Sequence, residues 1–178
     1  GAMTGVTVIR PDARSVAAVA VAGGGPGTRE TDALAPDTLV DAIDALVFSG
    51  GSVYGLAAAD GVVAALGAAG QGFALIPNDA VPRSPVVPAA ILYDLANAGN
   101  KAWSETPPYR TLGMSALKDA KVEFALGRAG AAYGARAGTA PGGLGSASII
   151  TDDGIIVGAL AAVNAFGAVT MPGTDAYW

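Results

Sequence analysis

The sequence predicts a layered α/β domain with strands near both ends and helices between them, not a strictly alternating parallel sheet. Three observations carry this. Short β-branched runs open the chain, at Val6 to Arg10 and Val16 to Val21. Its middle is rich in alanine at helical spacing, with Leu56, Val62, Val63 and Leu66 over Gly55 to Ala69. Near its end, Ser146 to Thr151 and Ile155 to Val163 flank Asp152-Asp153-Gly154, and Asp-Gly between apolar runs is a strong hairpin signal.

Taken in order, the first two runs are separated by Pro11-Asp12-Ala13-Arg14 and read as a hairpin. A glycine loop dense in charge follows, Gly23 to Asp32. Asp37-Thr38 stands where an N-cap belongs, ahead of a short helix carrying Leu39, Val40, Ile43 and Leu46 into a strand at Ala45 to Phe48. After the Gly55 to Ala69 helix, the proline-rich stretch Pro77 to Pro88 is a loop. Ala89 to Ala98 reads as a further helix with Ile91, Leu92 and Leu95 on one face. A polar loop through Trp103, Glu105 and Pro107-Pro108 leads to a helix near Thr111 to Asp119, and a glycine-rich segment runs from Phe124 to Gly145. The 178 residues fit one domain, 1–178, without an internal repeat.

Composition narrows the chemistry. Apolar residues make up 52% of the chain and charged ones 14%, well under the usual quarter or so. Surface not covered by charge has to be covered by something else, which reads as a subunit buried against partners. The net charge of −5 offers no basic field for a phosphate backbone, so nucleic acid is not the expected partner. No run of 18 apolar residues escapes Gly, Asp or Pro, so no membrane span is expected, and a cytoplasmic setting is. There is no His and no Cys. That removes an imidazole base, a thiol nucleophile and the softer metal sites. Catalysis has to come from hydroxyls, Lys, carboxylates or another chain, and no cofactor is expected.

The most informative stretch is Ser49-Gly50-Gly51-Ser52-Val53-Tyr54-Gly55-Leu56-Ala57-Ala58-Ala59-Asp60-Gly61, a glycine turn between an apolar strand and an alanine-rich helix. Such a turn exposes backbone N–H groups at a helix start, where an anion or polarised carbonyl can be held. It is not a Walker loop, since Gly55 is followed by Leu56. It is not a G-x-S-x-G elbow, and it lacks the G-x-G-x-x-G spacing of a dinucleotide fingerprint. Its other reading is a tight strand-to-helix connection built for close packing.

Together with Gly23-Gly24-Gly25-Pro26-Gly27-Thr28-Arg29-Glu30-Thr31-Asp32, Val86-Val87-Pro88-Ala89-Ala90-Ile91-Leu92-Tyr93-Asp94-Leu95 and Gly142-Gly143-Leu144-Gly145-Ser146-Ala147-Ser148, that turn gives an ordered set of four motifs. In this order they resemble the self-processing peptidase family of L-aminopeptidase/D-esterase, β-peptidyl aminopeptidases and the endo-type nylon-oligomer hydrolase, over Thr4 to about Met171. The resemblance implies an αββα sandwich like that of N-terminal nucleophile hydrolases. It also implies a precursor that cuts itself before a Ser or Thr into α and β fragments, and higher oligomers of αβ units. The chain then corresponds to the α fragment, and the nucleophile is the first residue of the β fragment. Such a residue uses its own α-amino group as base, which suits a chain without His. The family's cut falls between Asn and Ser or Thr, and no Asn of this chain precedes either. Gly1-Ala2-Met3 at one end, and Tyr177-Trp178 just after the turn Met171 to Thr174 at the other, likewise read as the ends of a piece of a longer polypeptide.

Two roles carry over by resemblance. Tyr93 matches a tyrosine whose hydroxyl positions the nucleophile's amine or the substrate. Asn164, in Ala161-Ala162-Val163-Asn164-Ala165-Phe166-Gly167, matches an asparagine that donates to the developing oxyanion. Without the motifs, Tyr93 reads as a packing residue and Asn164 as a turn residue. Ser49, Gly50, Gly51, Ser52 and Tyr54 are candidates for a pocket wall that meets a small peptide or amide substrate, and neither serine is expected to be the nucleophile. One departure stands out: where some relatives place a Lys, this chain has Thr139, and Arg136 lies at a different spacing. Two other readings compete, an ornithine acetyltransferase-like acyl transferase and a non-catalytic module that uses the Gly50-Gly51 turn as an anion seat.

Overall fold

The computed structural model describes residues 1–178. Strand β1 (Val6–Ile9) pairs antiparallel with β3 (Leu46–Ser49), β3 pairs parallel with β4 (Ala89–Ile91), and β4 pairs antiparallel with the two-residue β2 (Thr28–Arg29), giving the order β1-β3-β4-β2. Two helices, α1 (Ala57–Ala68) and α2 (Tyr109–Lys118), lie on one face of this sheet. Strands alternate their side chains between faces. Val6, Val47 and Ala89 therefore meet Ala58, Ala59, Val62, Leu66 and Tyr109 in the main core, while Phe48 points to the other side. There it joins Leu92, Ala131, Ala132, Ala135 and Leu144 in a second cluster.

The second cluster is roofed by a two-stranded antiparallel ribbon, β7 (Gly143–Ile150) and β8 (Ile156–Val163), in register from Gly143 opposite Val163 to Ile150 opposite Ile156. Its predicted turn is there: the Thr151 hydroxyl donates to Asp153 and accepts from the Ile155 N–H at 3.0 Å. That bond holds the exposed Asp153 carboxyl below its ordinary range. A further pair, β5 (Arg136–Ala137) and β6 (Ala140–Pro141), sits beside the ribbon's base. The layers are thus helices, four-stranded sheet and ribbon, with a cleft of about 1220 Å³ between sheet and ribbon. No helix is long and apolar enough to cross a membrane.

The small residues of α1 do what their size permits. Gly61 lies against the Arg110 carbonyl and Gly113 against the Ala58 carbonyl, so a Cβ at either would drive the helices apart. This is why a helix with little amphipathic contrast still packs: the contact is backbone to backbone over small side chains.

Three local expectations fail. The run at Val16 to Val21 does not pair with β1. Ser15 bonds Ile43 in both directions, at 2.9 and 3.2 Å, and β1 takes β3 instead. No helix follows Asp37-Thr38, because the Thr38 hydroxyl turns backward to the Ala33 and Ala35 carbonyls, at 2.7 and 2.9 Å, and closes the short helical turn Asp32–Leu34. Chain 89–98 is not helical either. Ala89 to Ile91 is inserted as a strand between β3 and β2, with Ala89 in the core beneath the helices, and sheet packing overrides alanine's helix preference.

Candidate active site

The glycine turn begins where β3 ends. Ser49 is fully buried, and its hydroxyl donates to the Gly50 carbonyl at 2.9 Å. Gly51 sits at φ +88°, in the left-handed region, and Ser52 follows at φ +52°. The short helical turn Ser52–Leu56 then passes directly into α1. Three N–H groups of the turn have partners: Gly50 donates to the Gly5 carbonyl at 2.9 Å, Gly51 to Asp94 Oδ1 at 2.7 Å, and Ser52 to the Leu92 carbonyl at 2.9 Å. At Gly51 the acceptor is thus a carboxylate of the same chain. Tyr54 is half exposed and meets Trp103 edge to face at 5.8 Å, and Trp103 in turn meets Tyr109 at 5.7 Å.

Asp94 is the residue that sequence reasoning missed. It is 3% exposed, and its second oxygen, the Thr4 hydroxyl and the Tyr109 hydroxyl are all buried without a hydrogen-bond partner. A Cβ at Gly50 would collide with both Asp94 Oδ2 and Thr4 Oγ1, and one at Gly51 would collide with the Tyr109 ring. This packed polar knot leaves no room for a Cβ at either glycine. Burial pushes the Tyr109 hydroxyl above its ordinary pKa of 10.0. Thr4 opposes this slightly from a position short of a good hydrogen bond, and the Asp94 charge adds to it. A signal was available, since a lone carboxylate in the apolar run Ile91 to Leu95 demands a buried donor.

A tyrosine with a raised pKa holds its proton more tightly folded than unfolded, so the stability it contributes is present below about pH 10 and lost as pH rises through the higher folded value. Tyr109→Phe in the full-length protein is expected to change stability at pH 8 by no more than about 1 kcal/mol, because the hydroxyl removed is unpaired. It should also lessen the loss between pH 8 and 10.5. Urea midpoints at the two pH values check both.

The structure brings Tyr93 and Asn164 together across 71 residues. Asn164 Nδ2 donates to the Tyr93 carbonyl at 3.0 Å, and its Oδ1 accepts the Arg136 N–H at 3.2 Å. Both partners are backbone groups of fixed polarity, so the amide has one orientation, and Nδ2 keeps a second hydrogen for another acceptor. The Tyr93 ring is 56% exposed, on an extended segment just past β4 and not on a helix. The Arg136 guanidinium folds onto the Thr139 carbonyl at 2.8 Å, the position of the missing Lys.

The four motifs interlock around these residues. Arg29 donates to Asp60 at 2.6 Å, Glu30 accepts the Val87 N–H at 2.9 Å, and Ile91 donates to the Gly27 carbonyl at 3.0 Å. The ribbon's pairing then carries Asn164, at the end of β8, back beside Tyr93. The chain has no group of three or more acidic side chains that converge on a point suited to a metal ion.

The chain is similar to several known proteins. Uncharacterized aminopeptidases of Mycobacterium tuberculosis and Mycobacterium bovis are each 44% identical over 174 residues, and one of Mycobacterium leprae is 41% identical over 179. Each alignment covers 98% of this chain and 48% of the relative, so the chain spans about half the length of the curated relatives it matches. Residues 1–176 match Peptidase family S58, and the chain belongs to that family.

Proposed function

We propose that this chain is the α part of a self-processed aminopeptidase whose nucleophile, a Ser or Thr at the start of a β part, lies in the half of the relatives' length that this chain does not span. The observation that carries the reading is the contact of Asn164 with the Tyr93 carbonyl. It joins the two residues the resemblance singles out, in a chain that has no imidazole or thiol of its own. That the relatives are named aminopeptidases supports a peptidase over an acyl transferase. The layers of helices, sheet and ribbon fit an αββα sandwich whose fourth layer the other half supplies.

In this reading the N-terminal hydroxyl attacks the carbonyl carbon of a peptide or other linear amide while its α-amino group takes the proton. Negative charge gathers on the former carbonyl oxygen, and the free Nδ2 hydrogen of Asn164 is the donor that meets it in this reading. The tetrahedral species collapses, the amine leaves with the proton, and water hydrolyses the resulting ester. The Tyr93 hydroxyl positions the amine or the substrate. Full-length expression tests this: two co-purifying chains are expected, the second beginning with Ser or Thr by N-terminal sequencing, with hydrolysis of aminoacyl p-nitroanilides that ends when that residue becomes Ala. A single uncut, inactive chain would sink the reading.

A further inference from the structure

Asn164 is held by backbone groups from two separate stretches, the Tyr93 carbonyl at 3.0 Å and the Arg136 N–H at 3.2 Å. The direction of its second Nδ2 hydrogen therefore depends on how those stretches are placed against each other. From Tyr93 to Asn97 the chain belongs to no strand or helix, so no sheet ladder fixes that placement.

Two side chains of the same stretch do. Asp94, directly after Tyr93, accepts the Gly51 N–H through Oδ1 and ties the stretch to the glycine turn. It is a costly residue at that place, because Oδ2 is buried without a partner beside the equally unpartnered Thr4 hydroxyl. An apolar side chain would be cheaper to bury, but it could not accept from Gly51, and local rules are broken in this way chiefly where function requires it. Asn97, three residues on, donates through Nδ2 to the Met3 carbonyl at 2.6 Å and to the Gly134 carbonyl at 3.0 Å. Its Oδ1 accepts Lys101 Nζ at 2.7 Å and the Gly99 N–H at 3.0 Å. All four bonding positions of this amide are thus used, and it has one orientation. Gly134 lies two residues before Arg136, and a Cβ there would collide with the Met3 carbonyl, the Asn97 amide nitrogen and Asp94 Oδ2. The stretch that accepts from Asn164 and the stretch that donates to it meet at this one packed point.

We infer that Asp94 and Asn97 are positioning residues that hold the oxyanion donor Asn164 in its aim, through the Tyr93 carbonyl on one side and the Arg136 N–H on the other. The inference rests on the role proposed for Asn164. Both residues act through Asn164 and not on the substrate. Their effect can be large, since a misplacement of about 1 Å costs on the order of 10²-fold in rate.

The test is a double-mutant cycle in the processed full-length protein. Asp94→Ala and Asn97→Ala are each made alone and together with Asn164→Ala, and hydrolysis of an aminoacyl p-nitroanilide is followed with a melting curve for every variant. Each single variant should lower kcat about 10- to 100-fold and leave KM within about 2-fold. Beside Asn164→Ala the same substitution should lower kcat by less than about 2-fold more, while its fall in melting temperature is the same in both backgrounds. Should Asp94→Ala fail to fold, Asn97→Ala, at a half-buried position, carries the test. A folded single variant with wild-type kcat, or losses that multiply with that of Asn164→Ala, overturns the inference and leaves the proposed function standing. An Asn164→Ala protein with wild-type kcat overturns both the inference and the role proposed for Asn164.

Discussion

Asn164→Ala in the processed full-length protein is expected to lower kcat by about 10²- to 10³-fold, the usual cost of removing one oxyanion donor. KM should change little, because the donor is needed most when charge gathers on the oxygen. The geometry makes the effect specific. Asn164 is held by two backbone groups, donating to the Tyr93 carbonyl at 3.0 Å and accepting from the Arg136 N–H at 3.2 Å. Asn164→Asp keeps the shape and loses the donor, and it sets a carboxylate oxygen against the Tyr93 carbonyl, so it should be as inactive as the alanine variant. Steady-state kinetics on a chromogenic aminoacyl amide, with a melting curve for each variant, check this. Wild-type kcat in a fully processed Asn164→Ala protein would remove Asn164 from the mechanism.

Gly51→Ala should cost more than about 3 kcal/mol, enough to deplete the folded population of an ordinary domain. Two penalties coincide there: φ is +88°, and the added Cβ collides with the Tyr109 ring at the centre of the core. Gly23 separates them, since at φ +89° it has open space around it. Gly23→Ala carries the backbone penalty alone, about 1 kcal/mol. Denaturant midpoints of the two full-length variants are the measurement, and equal costs would mean that the packing against Tyr109 has no energetic weight.

What the sequence made legible follows from which forces were local. The β7–β8 hairpin announced itself because Asp-Gly and its alternating flanks lie within 20 residues, and α1 because its spacing needs no distant partner. The segment at 89–91 was illegible for the opposite reason: alanine in isolation favours a helix, and only its place between β3 and β2 makes it a strand. Thr38 looked like the start of a helix and closes the preceding turn, a choice that depends on which carbonyls lie within reach. At the site, Tyr93 and Asn164 were singled out through ordered motifs, whereas Asp94 was passed over. Its importance comes from the Gly51 N–H, 43 residues away, that it accepts.

The wiring of the first few residues has a consequence for synthesis. Met3 is held by the Asn97 side chain, and Thr7 accepts the Ala131 N–H, contacts that span 94 and 124 positions. Gly5, between them, accepts the N–H of Gly50. The earliest part of this segment to leave the ribosome is thus among the last to find all its partners. At about 5–20 residues per second, β1 waits on the order of ten seconds before residue 131 exists. During that interval the parallel pairing of β3 with β4 must form without the full set of contacts that later brace it, the long-range order of events that slows folding. Expression at lower temperature, or with abundant holdase chaperones, should raise the soluble yield of the full-length protein by protecting those unpaired strands.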